Sequence, residues 1–249
     1  MNKRILISND DGFDARGLKV LEQALLPLGE VFVVAPDSEQ SASSHSLTVR
    51  RPIEVKQVGE RHYRVGGTPT DCVVLALQVI MDQPPDLVVG GINHGPNMGE
   101  DVGYSGTVAV AFEGTILGVP SIAISSLQRD VAGGEAIGRI ARIVVERALE
   151  HGIPRESLLN VNVPNPDIAP IKGLRITKLG SRHYENFIEP GRGPLRSHYT
   201  IGGRDPVWRE DDGSDIAAVR MGYVSITPLD LDQTHYKAIV EMERWRFEL

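Results

Sequence analysis

The stretch Arg4-Ile5-Leu6-Ile7-Ser8-Asn9-Asp10-Asp11-Gly12 decides the fold class. Its apolar run has no polar alternation, so Arg4 to Ser8 reads as a strand buried on both faces. A polar cluster ending in Asp-Gly interrupts it. Gly17 to Leu28 then carries Leu18, Leu21, Leu25 and Leu28 on one helical stripe. The same alternation recurs outward along the chain. Val31 to Ala35 is a second strand, stopped by Pro36, and residues 47–65 suggest short antiparallel strands. Thr68-Pro69-Thr70-Asp71 opens a helix that runs to Met81: Thr caps, Pro takes the first turn, and Asp stands three residues after the cap. Strands follow at Asp86–Gly90, Pro120–Ser125 and Leu158–Val163, with helices near Thr107–Leu117 and Glu135–Glu150 between them. Strands alternating with helices imply βαβ units, right-handed crossovers and a mainly parallel, doubly wound α/β sheet.

Composition narrows the function. The chain has 249 residues, 33 Asp and Glu against 26 Lys and Arg, a formal charge of −7 and one cysteine. That length buries a full core without a disulfide or metal staple. The lone Cys72 excludes an intrachain disulfide framework and suits a reducing cytoplasm; within its helix it reads as a core residue. An acidic balance disfavours long nucleic acid, which is held by excess cations. No apolar run approaches the roughly 20 residues of a membrane span, and the N-terminal apolar stretch is too short for a signal peptide. A small phosphorylated ligand stays open, given a few donors or a bound cation.

Three polar clusters follow predicted strands: Asn9-Asp10-Asp11-Gly12, Asp37-Ser38-Glu39-Gln40-Ser41 and Asn93-His94-Gly95-Pro96-Asn97. Ligand sites of open parallel sheets gather beyond the carboxyl ends of the strands, so these loops can share one rim. Adjacent Asp10 and Asp11 repel unless a cation or donors compensate. With oxygens from Ser41 and Asn93 they make an all-oxygen set suited to Mg²⁺, Mn²⁺ or Ca²⁺ rather than zinc. Read alone, Asp10-Asp11-Gly12 is a tight turn; its place beside two oxygen-rich loops turns the reading toward a metal.

Residues 90–107 are rich in glycine and end in Ser105-Gly106-Thr107 before an apolar helix. Glycine lets backbone approach a ligand, and free N–H groups at a helix start attract phosphate. Thr107 taken alone reads as an N-cap. Neither a Walker Lys-Ser/Thr nor a GxGxxG fingerprint is present. Asn9 and Asn97 join Ser105, Gly106 and Thr107 as candidate phosphate-binding residues. His45 and His94 lie within the rim loops, where each is either a proton donor or a solvated side chain. Glu210-Asp211-Asp212 and Asp215 read as a solvated acidic loop. Beyond residue 180 aromatics concentrate (Tyr184, Phe187, Tyr199, Trp208, Tyr223, Tyr236, Trp245, Phe247) and Gly, Pro and Arg crowd residues 190–206. That pattern fits either an interface or a local minicore. A strand at Gly222–Pro228 and a helix from about Thr234 are expected.

These motifs resemble the SurE family, the metal-dependent survival-protein nucleotidases. The resemblance spans nearly the whole chain, from Ser8-Asn9-Asp10-Asp11-Gly12 through Val33-Val34-Ala35-Pro36-Asp37, Gln40-Ser41-Ala42 and Gly67-Thr68-Pro69-Thr70-Asp71. It continues through Gly91-Ile92-Asn93-His94-Gly95-Pro96-Asn97, Tyr104-Ser105-Gly106-Thr107-Val108, Asn160-Val161-Asn162-Val163-Pro164 and Gly222 to Leu229. It implies a Rossmann-like three-layer α/β fold as a single domain over residues 1–249. A β-hairpin and helix extension over about 180–249 would serve oligomerisation, giving a homodimer or homotetramer. It also implies hydrolysis of nucleoside monophosphates at the 5′ and possibly the 3′ position. One Mg²⁺ or Mn²⁺ per subunit would be held by Asp10, Asp11, Ser41 and Asn93, with Asp10 and Asp11 catalytic. Two departures stand out: Gly90 where the family pattern has Ser, and Arg16 where it often has Pro. Two rival readings remain: an aspartyl-phosphate phosphatase using Asp10, although its usual Asp-x-Asp spacing is missing, and a non-catalytic nucleotide sensor.

Overall fold

In the computed structural model, described over residues 2–128, 134–183, 188–191, 197–201, 207–209, 211–245 and 247, strand β1 (Lys3–Ser8) runs through the middle of the sheet. Its side chains alternate between two cores: Ile5 and Ile7 enter one, Leu6 the other. That period-2 split of an all-apolar run is what a parallel strand covered on both faces requires. Helix α1 (Arg16–Leu25) follows, lays Leu18, Leu21 and Leu25 on the first face, and ends in a 3₁₀ turn, Leu26–Leu28, that contains Pro27. The helical stripe predicted to Leu28 therefore tightens at its last turn, because Pro27 cannot donate an α-helical hydrogen bond.

Strand β2 (Gly29–Pro36) pairs parallel with β1. The expected antiparallel excursion is the pair β3 (Val55–Gly59) and β4 (His62–Val65), and β4 also pairs parallel with β2. Helix α2 (Pro69–Leu75) starts with the predicted capping box: the Thr68 hydroxyl accepts from the Asp71 N–H while the Asp71 carboxylate accepts from the Thr68 N–H. The chain continues as a π-helical turn, Ala76–Ile80, to Met81. Cys72 is buried, as read.

Strand β5 (Leu87–His94), helix α3 (Gly106–Ile116), strand β6 (Ser121–Ser126), helix α4 (Glu135–His151) and strand β7 (Ser157–Val163) complete the alternation. The six parallel strands lie in the order β4-β2-β1-β5-β6-β7, which by chain position is 3-2-1-4-5-6, the Rossmann order. Helices α1 and α4 pack together on one face, α2 and α3 on the other.

Two short elements escaped the sequence: β8 (Leu174–Ile176) and α5 (Asp215–Arg220). Strand β13 (Val224–Asp230), shifted two residues from the predicted span, inserts antiparallel against β7 and carries β8 on its other side. Between β8 and α5 lie β9 (Ser181–His183), β10 (Ile188–Pro190), β11 (Tyr199–Ile201) and β12 (Val207–Arg209), paired as two antiparallel ladders, β9 with β12 and β10 with β11. Tyr184, Phe187 and most of residues 190–206 lie outside the described residues. The C-terminal helix is α6 (Tyr236–Met242), followed by a 3₁₀ turn, Glu243–Trp245.

Candidate functional site

The chain leaves β1 toward β2 in one direction and reaches β5 in the other, so a crevice opens between the carboxyl ends of β1 and β5. Asp10 and Asp11 follow β1 directly, Asn93 and His94 end β5, and Glu39 and Ser41 follow β2. All six line one cavity of about 880 Å³ together with Asn97, Ser105, Asp101 and Tyr104. Ile201, from β11, closes part of its mouth.

Asp10 is 6% exposed. Burial raises its carboxyl from 3.8 to about 6; the Thr107 hydroxyl pulls the other way, and the neighbouring Asp11 charge adds to the rise. Burial likewise raises Asp11, opposed by the His94 ring and backbone N–H and reinforced by Glu39. The His94 N–H donates to Asp11 Oδ2 at 3.2 Å, and its ring Nδ1 stands 3.7 Å from Oδ1. Ser41 donates its hydroxyl to Glu39 at 2.5 Å. Asn93 donates its amide Nδ2 to the Gly95 carbonyl at 2.9 Å, so its Oδ1 is the end available to a cation.

Helix α3 points its first turn at Asp10. Ser105, not Thr107, is the N-cap, accepting from the Val108 N–H at 3.1 Å. Thr107 is thereby free to turn its hydroxyl to Asp10 Oδ1. The approach is close: a Cβ on Gly106 would lie 2.7 Å from the Asp10 Cβ, and one on Gly90 only 2.5 Å from the Thr107 carbonyl oxygen. Gly90 thus lets α3 settle onto β5.

The structure does not bring every candidate into the cavity. Asn9 is fully buried beneath the turn, where its Nδ2 donates to the Gly12 carbonyl at 3.0 Å. His45 lies outside the lining, bonded to Glu113 at 2.8 Å and stacked at a tilt on Phe112. Gly106 and Thr107 stand behind Asp10 rather than on the cavity wall.

Three supports were missed. Asn160 and Asn162, fully buried on β7, grip Asn97: its N–H donates to Asn162 Oδ1 at 2.8 Å, and its carbonyl accepts from Asn160 at 2.8 Å and Asn162 at 3.0 Å. The Asn97 side chain donates to Ser125 at 2.8 Å. Two amides at i and i+2 in an otherwise apolar strand were the available signal, since buried amides demand partners. Asp215 corrects the solvated-loop reading. It is fully buried and accepts N–H bonds from Gly99 at 3.0 Å, Gly180 at 2.7 Å and Ile216 at 2.8 Å. Glu100 accepts from Ser181 at 3.0 Å and the Arg182 N–H at 2.5 Å, and Asp101 pairs with Arg182. The turn after Asn97 is tied to β9 in this way. Asp211 and Asp212 are exposed, as read, and Glu210 lies outside the described residues.

Asp10, Asp11, Glu39 and Asp101 put four carboxylates on this cavity, and among the described lining residues there is no Lys or Arg. Among the described residues no cluster of three or more His, Cys, Asp or Glu is disposed to hold a metal. A cation here therefore depends on hydroxyl and amide oxygens beside the two aspartates, and Ser41 and Asn93 supply them. Hard oxygen donors fit Mg²⁺ or Mn²⁺.

A 3-2-1-4-5-6 sheet, with oxygen-bearing loops gathered at its switch point and a helix N-terminus facing them, defines a Rossmann-like α/β protein with its ligand site at the strand ends. The Survival protein SurE profile matches residues 5–186. A 5′-nucleotidase SurE from Gemmatimonas aurantiaca is 47% identical over 247 residues, 97% of this chain and 98% of that protein. The 5′-nucleotidase SurE of Aquifex aeolicus is 44% identical over 94% of each chain. The crystal structure of the SurE protein from Aquifex aeolicus superposes with a TM-score of 0.88 at 42% identity, over 98% of this chain and all of that one. The chain belongs to the SurE family.

Proposed function

We propose that this chain is a divalent-metal-dependent nucleotidase that converts nucleoside 5′-monophosphates, and 3′-monophosphates where the cavity admits them, to nucleoside and phosphate. The observation that carries the reading is the pairing of Asp10 and Asp11 in a cavity that, among the described residues, meets a phosphate with carboxylates and no lysine or arginine. An anionic substrate enters such a site only with a cation to offset the charge. Asp10, Asp11, Ser41 and Asn93 are the residues that would hold one Mg²⁺ or Mn²⁺ per subunit. When bound, it supplies Lewis-acid polarisation of the phosphoryl group and acidifies a water.

The chain's own groups do the remaining work. At the N-terminus of α3, Ser105 is the residue on the cavity wall that faces phosphoryl oxygens, while Thr107 acts through Asp10, which accepts its hydroxyl. Asn97 fixes the opposite wall, braced by β7. Asp10, its affinity for a proton raised by burial, or Asp11, orients the attacking water and accepts its proton. His94, beside Asp11, is the nearer candidate to protonate the leaving alcohol. Tyr104 and Ile201 offer the base and ribose an apolar surface at the mouth.

The chain acts as one domain whose C-terminal part, about 180–249, joins copies into a dimer or tetramer. Support comes from apolar side chains left open there: Ile201, Tyr236, Val240, Trp245 and Phe247 are all more than half exposed. No helix among the described residues is long and apolar enough to cross a membrane. The single reduced cysteine fits a cytoplasmic enzyme.

The test is phosphate release across a panel of nucleoside monophosphates after chelation and after return of each metal. Activity lost on chelation and restored by Mg²⁺ or Mn²⁺ is expected. Full turnover in the metal-free protein refutes the reading, a trapped phosphoenzyme favours the aspartyl-phosphate mechanism, and binding without phosphate release favours the sensor.

A further inference from the structure

Asp215 joins three segments that are far apart in the chain. Its Oδ1 accepts the N–H groups of Gly180 at 2.7 Å and Ile216 at 2.8 Å, and its Oδ2 accepts that of Gly99 at 3.0 Å. The approach is close because two of the three are glycine. A Cβ on Gly180 would stand 2.5 Å from Ile216 Cδ1, and one on Gly99, whose φ is +55°, would stand 3.0 Å from the Gly180 carbonyl oxygen. Met98, next to Gly99, packs with Ile216 and Val219 in a small core of its own. Helix α5 in turn rests on β7 and β13, so the carboxylate is fixed to the sheet.

A fully buried carboxylate is a costly occupant of such a position, and burial holds this one above the ordinary carboxylate range despite its three donors. The junction nevertheless needs it. Two N–H groups point at one oxygen and a third at the other, and only a carboxylate accepts on both sides; an amide of the same shape has one acceptor and one NH₂ donor.

The Gly99 bond reaches the cavity. Gly99 opens the turn Gly99–Tyr104, which lies between two points held by other bonds: Asn97, braced by β7, and Ser105, the cap of α3. Those two keep their partners if Gly99 is released, whereas Tyr104, on the cavity wall between them, loses a support. We propose that Asp215 is a positioning residue for the substrate, holding the Gly99–Tyr104 turn so that Tyr104 stays in place against the nucleoside. The proposal rests on the nucleotidase reading and on the place given there to Tyr104. It leaves cation binding alone, because Asp10, Asp11, Ser41 and Asn93 stand on other loops.

Asp215→Asn cuts one side of the junction. Its Oδ1 keeps Gly180 and Ile216, and its NH₂ then faces the Gly99 N–H, donor against donor. Glu100 still ties the turn to Ser181 and Arg182, so the release is partial. With adenosine monophosphate at saturating Mn²⁺, KM for phosphate release is expected to rise about threefold with kcat held within about twofold. The Kd for Mn²⁺ alone, by calorimetry, is expected to stay at the wild-type value. Gly99→Ala keeps the carboxylate but strains the turn at its positive φ and crowds the Gly180 carbonyl, and it gives the same split should Asp215→Asn fail to fold. Tyr104→Ala/Asp215→Asn should have the KM of Tyr104→Ala alone, because contacting residues are not additive. An unchanged KM, additive effects in that cycle, or a Mn²⁺ affinity that weakens in parallel each overturns the inference while the nucleotidase reading stands; a wild-type protein that releases no phosphate removes both.

Discussion

Asn162→Ala tests whether the β7 amides hold the Asn97 loop on the wall of the cavity. In the native protein Asn162 accepts the Asn97 N–H at 2.8 Å and donates to the Asn97 carbonyl at 3.0 Å. Alanine removes both bonds, and the two losses differ. The carbonyl keeps the Asn160 amide at 2.8 Å, but the N–H is left buried without an acceptor. An orphaned buried donor costs about 1–3 kcal/mol and a partly replaced bond about 1, so destabilisation of about 3 kcal/mol is expected. At roughly 2–4 °C per kcal/mol for a chain of this size, the melting temperature falls by about 6–12 °C. Asn160→Ala is the internal control. It removes one of two donors to the same carbonyl and also deletes an acceptor, Asn160 Oδ1, that is itself buried without a partner. Its cost is about 1 kcal/mol, a third of the first. Urea unfolding supplies the stabilities, and phosphate release at saturating metal supplies kcat and KM. The loosened loop should lower kcat in Asn162→Ala by more than the stability loss explains at a temperature where both variants are folded. Equal destabilisation by the two substitutions, or an unchanged kcat in folded Asn162→Ala, refutes the assignment.

Asp10→Asn should abolish turnover yet stabilise the chelated protein. Since burial raises Asp10 from 3.8 to about 6, the folded state loses stability as pH rises through that window. The gain is therefore about 3 kcal/mol near neutral pH and shrinks toward zero as pH falls to about 4; a variant no more stable than wild type in chelator at neutral pH contradicts the burial argument. Gly106→Ala places a Cβ 2.7 Å from that of Asp10, and a displaced α3 should lower kcat about 100-fold in a protein that still folds by circular dichroism. Tyr104→Ala should raise KM for nucleoside monophosphates about fivefold, the worth of one aromatic stack, while leaving KM for glycerol phosphate in place; equal changes for both substrates remove Tyr104 from base recognition.

What could be read from the sequence was whatever depends on local pattern. β1 and α1 announced themselves because an apolar run and a leucine stripe belong to the elements themselves, and the Thr68 capping box is complete within four residues. The oxygen-bearing loops were legible because parallel topology sends strand ends to one rim. The unread parts are decided by tertiary contact. Helix α5 has only six residues, and Asp215 resembles its exposed neighbours until Gly99 and Gly180 arrive from distant segments to bond it. Ser105 and Thr107 are equally good caps by composition. Only the position of Asp10 determines that Ser105 caps and Thr107 turns inward. His45 drew attention by lying in a rim loop, but Glu113 and Phe112 hold it elsewhere.

The antiparallel insertion of β13 between β7 and β8 has a consequence for how the protein is made. As the chain emerges from the ribosome, six parallel strands can assemble in order, but β7 then presents an unpaired edge with alternating amides and valines. That edge stays open until residues 224–230 have been synthesised, and open edges invite pairing with other chains. Asn160 and Asn162 lie on this same strand, so a chain truncated before β13 would leave the braces of Asn97 on an unfinished margin. Assembly of the cavity at the strand ends is thus coupled to near-completion of synthesis, and prematurely terminated chains are expected among aggregates rather than as partly active enzyme.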